Sequence, residues 1–131
     1  MSKKRFDPIE GRNAEIIEWV MSCEELSDLS EDILFKMRLC VEEVEENILC
    51  YSGSTWVEVC VTAQKGFLSV NFRDGGVQFN PLAKKDPDIT ASVEDRAIGG
   101  LGIFICKKMM DSVEYSCEDG CNVFTMTAKI A

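Results

Sequence analysis

Hydrophobic positions along the chain keep two rhythms. In residues 13–22, NAEIIEWVMS, Ile16, Ile17, Val20 and Met21 recur at the spacing of one helix face, which predicts a first helix. A second helix is predicted from about 31 to 51. Ser30 stands before it, and Glu31 and Asp32 suit the positive end of its dipole, although Ile33 at the third position rules out a capping box. The rhythm then changes to alternation. In 55–63, TWVEVCVTA, Val57, Val59 and Val61 take one face and Trp56, Glu58 and Cys60 the other. Residues 66–74, GFLSVNFRD, continue the pattern after Gln64-Lys65-Gly66, so the two strands form a hairpin. Residues 75–99 hold two of the three prolines and many charges and are expected to form a loop. A helix follows at about 101–111. SVEYSCE and NVFTMTAKI then close the chain as a hairpin through Asp119-Gly120. Helix, helix, two strands, long loop, helix and two strands predict an α+β two-layer sandwich with a mostly antiparallel sheet and helices on one face.

Length and composition narrow the function. With 131 residues, 46% apolar and 28% charged, the chain is sized for a single domain, 1–131, with a real core. A net charge of −9 argues against nucleic acid as a partner, because phosphate binding needs clustered Lys and Arg. No apolar run reaches the length of a membrane span, and MSKKRFDPIEG lacks the apolar stretch of a signal peptide. Seven cysteines, an odd number with no CxxC pair, fit a reduced cytoplasm better than a disulfide framework. The absence of histidine excludes Ser-His and Cys-His catalytic pairs, and the scattered cysteines give little support to a zinc site.

The second helix carries the unusual chemistry. At ~100° per residue, Leu34, Met37, Val41, Val44 and Ile48 form the core stripe. Glu31, Arg38, Glu42 and Glu45 fall together on another side and are expected in solvent. Glu43 does not join them. It shares a flank with Asn47, one turn on, beside Leu39, Cys40 and Cys50, while Glu46 is intermediate. A carboxylate and a carboxamide so placed can supply a general base and a hard oxygen ligand for Mg²⁺; taken alone, they are explained more simply as a polar flank at the end of a sheet. Two glycine segments add to this. In NFRDGGVQFNP (71–81) an acid directly after a strand precedes two glycines. That arrangement makes either a turn or a close approach to a flat ligand that donates to the carboxylate. In RAIGGLGIFICKKMMD (96–111), Gly99, Gly100 and Gly102 open an apolar helix, giving a flexible helix start or a phosphate cradle. The segment is neither a Walker A nor a Rossmann fingerprint.

Taken in order, the three segments resemble the N, G1 and G2 boxes of the GHKL ATPases. Within that family the chain is similar to the small anti-sigma-factor serine/threonine kinases of bacteria. The resemblance runs from about residue 13 to 130 and is strongest in EEVEENILCYS, FNPL and IGGLGIFICKKMMDSVEY. It implies a Bergerat-type ATP-binding fold, with a mostly antiparallel mixed sheet, and ATP and Mg²⁺ as cofactors. Glu43 matches the catalytic base and Asn47 the nucleotide-site residue that ligates Mg²⁺. Asp74 matches the acceptor from the adenine amino group, and Gly76 the glycine that lets the purine sit close. Gly100, Leu101 and Gly102 match the phosphate-contacting segment. Residues 84–98 match a mobile ATP lid, with Arg96 where related kinases place a basic catalytic residue. Asn122 stands where many relatives have a threonine beside adenine.

Two positions depart from the pattern. Gln78 replaces the second G1 glycine, and Glu46 adds a charge next to Asn47. The function implied is phosphorylation of an antagonist (anti-anti-sigma) protein by a kinase that also binds a sigma factor, with no direct nucleic acid, no membrane, and a homodimer left open. An ATP-dependent binding switch without phosphotransfer is the alternative. A third reading is an interaction domain whose glycines only make turns.

Overall fold

The computed structural model describes residues 1–83 and 100–130. Its elements in chain order are β1 (Ser2–Phe6), α1 (Asn13–Ser22), α2 (Glu31–Asn47), β2 (Val57–Gln64), β3 (Phe67–Asp74), α3 (Gly100–Met109), β4 (Ser112–Glu118) and β5 (Cys121–Lys129). Short 3₁₀ turns lie at Glu24–Leu26 and Pro81–Ala83, and a π-helical turn, Ile48–Ser52, extends α2.

The five strands form one sheet in the order β1-β2-β3-β5-β4, and every pairing is antiparallel. The expected α+β sandwich is therefore found, and among the described residues its sheet is wholly antiparallel in place of mixed. Alternation along the strands fixes the buried face. Val57, Val59 and Val61 of β2, Leu68, Val70 and Phe72 of β3, and Phe124, Met126 and Ala128 of β5 are all buried. They pack with Ile16, Ile17 and Val20 of α1 and Met37, Cys40, Val41 and Val44 of α2 in one core. On α3, Ile103 and Cys106 join it, and the Cys106 thiol lies against the Cys40 carbonyl at 3.8 Å. The other sheet face carries polar ladders such as Ser69–Thr127 at 3.1 Å and Asn71–Thr125 at 2.8 Å.

Local chemistry explains the boundaries. Ser30 caps α2, its hydroxyl accepting from the Ile33 N–H at 3.2 Å. Both hairpins turn on two residues with positive φ, Lys65 (54°) with Gly66 (83°) and Asp119 (53°) with Gly120 (77°), the mirror-image geometry that suits twisted strands.

Three expectations are corrected. The strand β1 was not anticipated: SKKRF buries only Phe6 and lies along one edge of the sheet, so its charges conceal its conformation. The second helix is α-helical only to Asn47; its last five residues are wound as a π turn. Glu45, expected in solvent, is 2% exposed. Arg38, two turns earlier on the same side, is exposed and reaches Glu18 of α1 at 3.1 Å, and Glu31 and Glu42 are exposed as expected, so the burial of Glu45 is local to its own turn.

Candidate active site

The cavity of interest lies where α2 and its π turn approach the ends of β3 and β5. Its polar lining comes from Asn47, Asp74 and Asn122, three of the residues singled out in the sequence. Val44, Ile48, Ile103 and Phe124 form apolar walls, with Phe79 and Tyr115 beside them. A mostly apolar slot with a few converging polar groups suits a flat ring with a polar edge.

Asp74 is the last residue of β3 and stands opposite Asn122 of β5. It is 3% exposed. One carboxylate oxygen, Oδ1, accepts from the Gly76 N–H at 2.9 Å and from Asn122 Nδ2 at 3.0 Å. The second oxygen makes no hydrogen bond among the described residues and remains able to accept from a ligand amino group. The Asn122 side chain is saturated. Its Nδ2 also donates to the Val77 carbonyl at 2.9 Å, while its Oδ1 accepts from the Phe79 N–H at 3.1 Å and from the Tyr115 hydroxyl. Burial, then the nearby Cys117, raises the pKa of Tyr115, keeping that hydroxyl protonated.

The π turn brings backbone to the same place. Ser52, buried at its end, accepts from the Val77 N–H through its carbonyl at 2.7 Å. A Cβ on Gly76 would overlap that carbonyl, approaching its carbon within 2.7 Å, so only glycine fits. Gly75 is similarly confined, since a Cβ there would come within 2.8 Å of the Trp56 indole. Beyond the turn, Tyr51 stacks on Phe79 with ring centroids 5.2 Å apart.

The glutamates of α2 separate clearly. Glu42 and Glu46 are exposed, as expected of Glu42. Glu43 is half-buried, and its pKa is raised first by burial and then by the charges of Glu46 and Glu42. It lies against α3, where a Cβ on Gly102 would overlap its carboxylate and come within 3.0 Å of Cδ. Glu45 carries two buried carboxylate oxygens with no hydrogen-bond partner among the described residues, and burial followed by Glu42 and Glu46 pushes its pKa up to about 7. Asn47 is half-buried, and its carboxamide makes no hydrogen bond among the described residues. An unengaged carboxamide oxygen at the cavity wall fits the hard oxygen donor that Mg²⁺ takes.

The fold thus gathers Asn47, Asp74 and Asn122 around one cavity, with Gly76 at its rim and Glu43 against Gly102. Gly100 and Leu101 stand at the first turn of α3. Arg96 and the expected lid, 84–98, lie outside the described residues. Sequence reasoning missed Ser52, Phe79 and Tyr115. Tyr115 had left a signal: its hydroxyl sits on the inward phase of an alternating strand, where it must find a partner.

The chain is 24% identical over 106 residues to the serine/threonine-protein kinase BtrW of Bordetella bronchiseptica, spanning 78% of this chain and 75% of that one. Among solved structures, it is similar in fold to the catalytic domain of histidine kinase ThkA in a nucleotide-free form. The TM-score is 0.56 at 13% identity, over 99% of this chain and 97% of the other. The model of the histidine kinase-like ATPase domain matches residues 9–128. The chain therefore belongs to the histidine kinase-like ATPase domain family, a GHKL group whose members bind ATP, usually with Mg²⁺.

Proposed function

We propose that residues 1–131 act as one Mg-ATP-dependent serine/threonine protein kinase unit of the anti-sigma-factor type. It binds a sigma factor and phosphorylates the antagonist protein that competes for it. The observation that carries the reading is Asp74: buried, with one oxygen fixed by Gly76 and Asn122 and the other free beside an apolar slot. That oxygen accepts from the adenine amino group. The likeness to BtrW, which is named a serine/threonine kinase, supports the choice of acceptor. Seven free cysteines suit a reducing cytoplasm.

Mg-ATP supplies the transferable phosphoryl group and, through the cation, neutralises charge on the phosphates. Asn47 offers its carboxamide oxygen to the metal. The backbone N–H groups at Gly100, Leu101 and Gly102 open α3 and present the positive end of its dipole to the phosphates. Glu43 takes the proton from the partner's serine or threonine hydroxyl as that oxygen bonds to the γ-phosphorus and the bond to the bridging oxygen of ADP breaks. Its half-buried setting, which raises its affinity for a proton, suits a general base. Arg96 is assigned the role of the basic residue that related kinases place near the terminal phosphate.

A second reading, nucleotide-dependent partner binding without transfer, is favoured by the crowding of Glu42 and Glu46 around Glu43. Calorimetry with Mg-ATP, followed by phosphate transfer from ATP to a verified cognate antagonist, decides between them. Tight ATP binding with transfer is expected. Binding without transfer favours the switch, and no ATP binding at millimolar nucleotide overturns both.

A further inference from the structure

We infer that Tyr115 and Asn122 form a base-selecting clamp, in which Asn122 is the positioning residue that holds Asp74 ready to read a 6-amino purine and Tyr115 holds Asn122 in place. The inference rests on the adenine reading of Asp74 and extends it to two residues of the cavity wall whose hydrogen bonds go to protein.

The orientation of the amide follows from its partners. The Asp74 carboxylate and the Val77 carbonyl can only accept, so they require the amide nitrogen at 3.0 and 2.9 Å. The Phe79 N–H can only donate, so it requires the amide oxygen at 3.1 Å. With that oxygen as its neighbour, the Tyr115 hydroxyl must be the donor. All four hydrogen-bonding places of Asn122 are then occupied by protein. Asn122 has nothing left to offer a base edge, although the resemblance to relatives implied a contact with adenine. Its task is to hold Asp74 Oδ1, and with it the direction in which Oδ2 points.

The clamp also ties together pieces that glycine would otherwise leave loose. Asn122 holds Val77 and Phe79, on either side of Gln78, while Ser52 holds Val77 from the π turn. This is the segment where relatives of the resembled family have a second glycine, and here its path is set by three hydrogen bonds from two elements. Of the four groups around Asn122, the Tyr115 hydroxyl is the only side-chain donor.

Removing that hydroxyl leaves the amide oxygen with one donor in place of two, so the Asn122 side chain is held less firmly. A looser Asn122 fixes Asp74 less well, and the carboxylate meets an amino group less squarely. A 6-oxo purine sets an acceptor oxygen where adenine has its amino group, so it loses little, or gains, when the aim of Asp74 relaxes.

The test compares wild type with Tyr115→Phe by calorimetry against Mg-ATP and Mg-ITP, with the Asn122 side-chain NH₂ resonances followed by NMR. Wild type is expected to prefer ATP. Tyr115→Phe is expected to lose about three- to tenfold in ATP affinity, the effect of one buried hydrogen bond. ITP affinity should hold or rise, and the NH₂ signals should shift and exchange faster. A variant that loses affinity for both nucleotides equally, or keeps the wild-type ratio with unchanged NH₂ signals, overturns the clamp while leaving the ATP reading intact. Should Tyr115→Phe prove unfolded, Asn122→Asp tests the same relation: it replaces the donating nitrogen with a second carboxylate oxygen beside Asp74, and an ATP-to-ITP ratio unchanged from wild type would overturn the clamp. Failure of wild type to bind either nucleotide removes the adenine reading and the clamp with it.

Discussion

Replacing Glu45 by glutamine should stabilise the protein, and by an amount that depends on pH. The two carboxylate oxygens of Glu45 are buried with no hydrogen-bond partner among the described residues, so ionising the group inside the fold is unfavourable. Its pKa rises from the usual 4.5 to about 7. An acid whose folded pKa lies above its unfolded one holds its proton longer in the folded state. Between pH 4.5 and 7 the folded chain therefore binds more protons than the unfolded one, and stability falls as pH rises through that window. The shift corresponds to roughly 3 kcal/mol, fully felt above pH 7 and absent below pH 4.5. Glutamine has nearly the shape of the neutral acid and cannot ionise. Glu45→Gln should therefore match wild type near pH 4.5 and exceed it by up to roughly 3 kcal/mol at pH 8. In urea unfolding that appears as a midpoint about 1–3 M higher at pH 8. Because both proteins share every other titrating group, the difference between their curves isolates Glu45. Equal stability at pH 8, or the same offset at both pH values, would refute the reasoning and imply that Glu45 reaches a partner or water when charged.

Three other substitutions bear on the cavity and its base. Asp74→Asn keeps the oxygen that accepts from Gly76 and Asn122 but turns an NH₂ toward the ligand, so ATP affinity should fall roughly ten- to a hundredfold with the fold intact; calorimetry beside a thermal melt checks both. Glu43→Gln should retain ATP binding and lose transfer to the partner protein, measured with labelled ATP, because the amide cannot take a proton. Gly102→Ala puts a methyl group against the Glu43 carboxylate. It should cut transfer at least tenfold while shifting the unfolding midpoint little, since the flexible end of Glu43 gives way before the backbone does; full activity would show that the carboxylate need not occupy its present place.

The sequence was most legible where one physical signal dominated. The helix expected over 13–22 is α1 at Asn13–Ser22, because four apolar residues share one face and nothing competes with them. The two hairpins were readable from Lys65-Gly66 and Asp119-Gly120, whose backbone angles few other residues adopt. β1 was not readable, since an edge strand with one inward apolar residue carries no alternation to detect. Glu45 was misplaced because a helical wheel knows angles and nothing of neighbours: Arg38 and Glu42 on the same side are exposed while Glu45 is buried. Asp74 and Asn122 were both singled out, yet the bond between them depends on strand register, which no single segment encodes.

That register has a consequence for how the cavity is kept true. β3 meets β5 over eight successive pairs, from Phe67 with Lys129 to Asp74 with Asn122. Side chains alternate between faces at every step, so a slip by one residue would bring Val123 opposite Asp74 and set the two chains' inward faces out of phase. The Lys65-Gly66 turn, at the far end of β3 and about 23 Å away at the usual rise per residue, helps prevent this by fixing how far β3 advances along β2. The alignment of carboxylate and carboxamide is thus a vernier reading: small errors at a distant tight turn would be carried undiminished along a stiff ruler. Lengthening that turn by a single residue, on the side of the molecule remote from any ligand, is where the cavity is most exposed to mistuning.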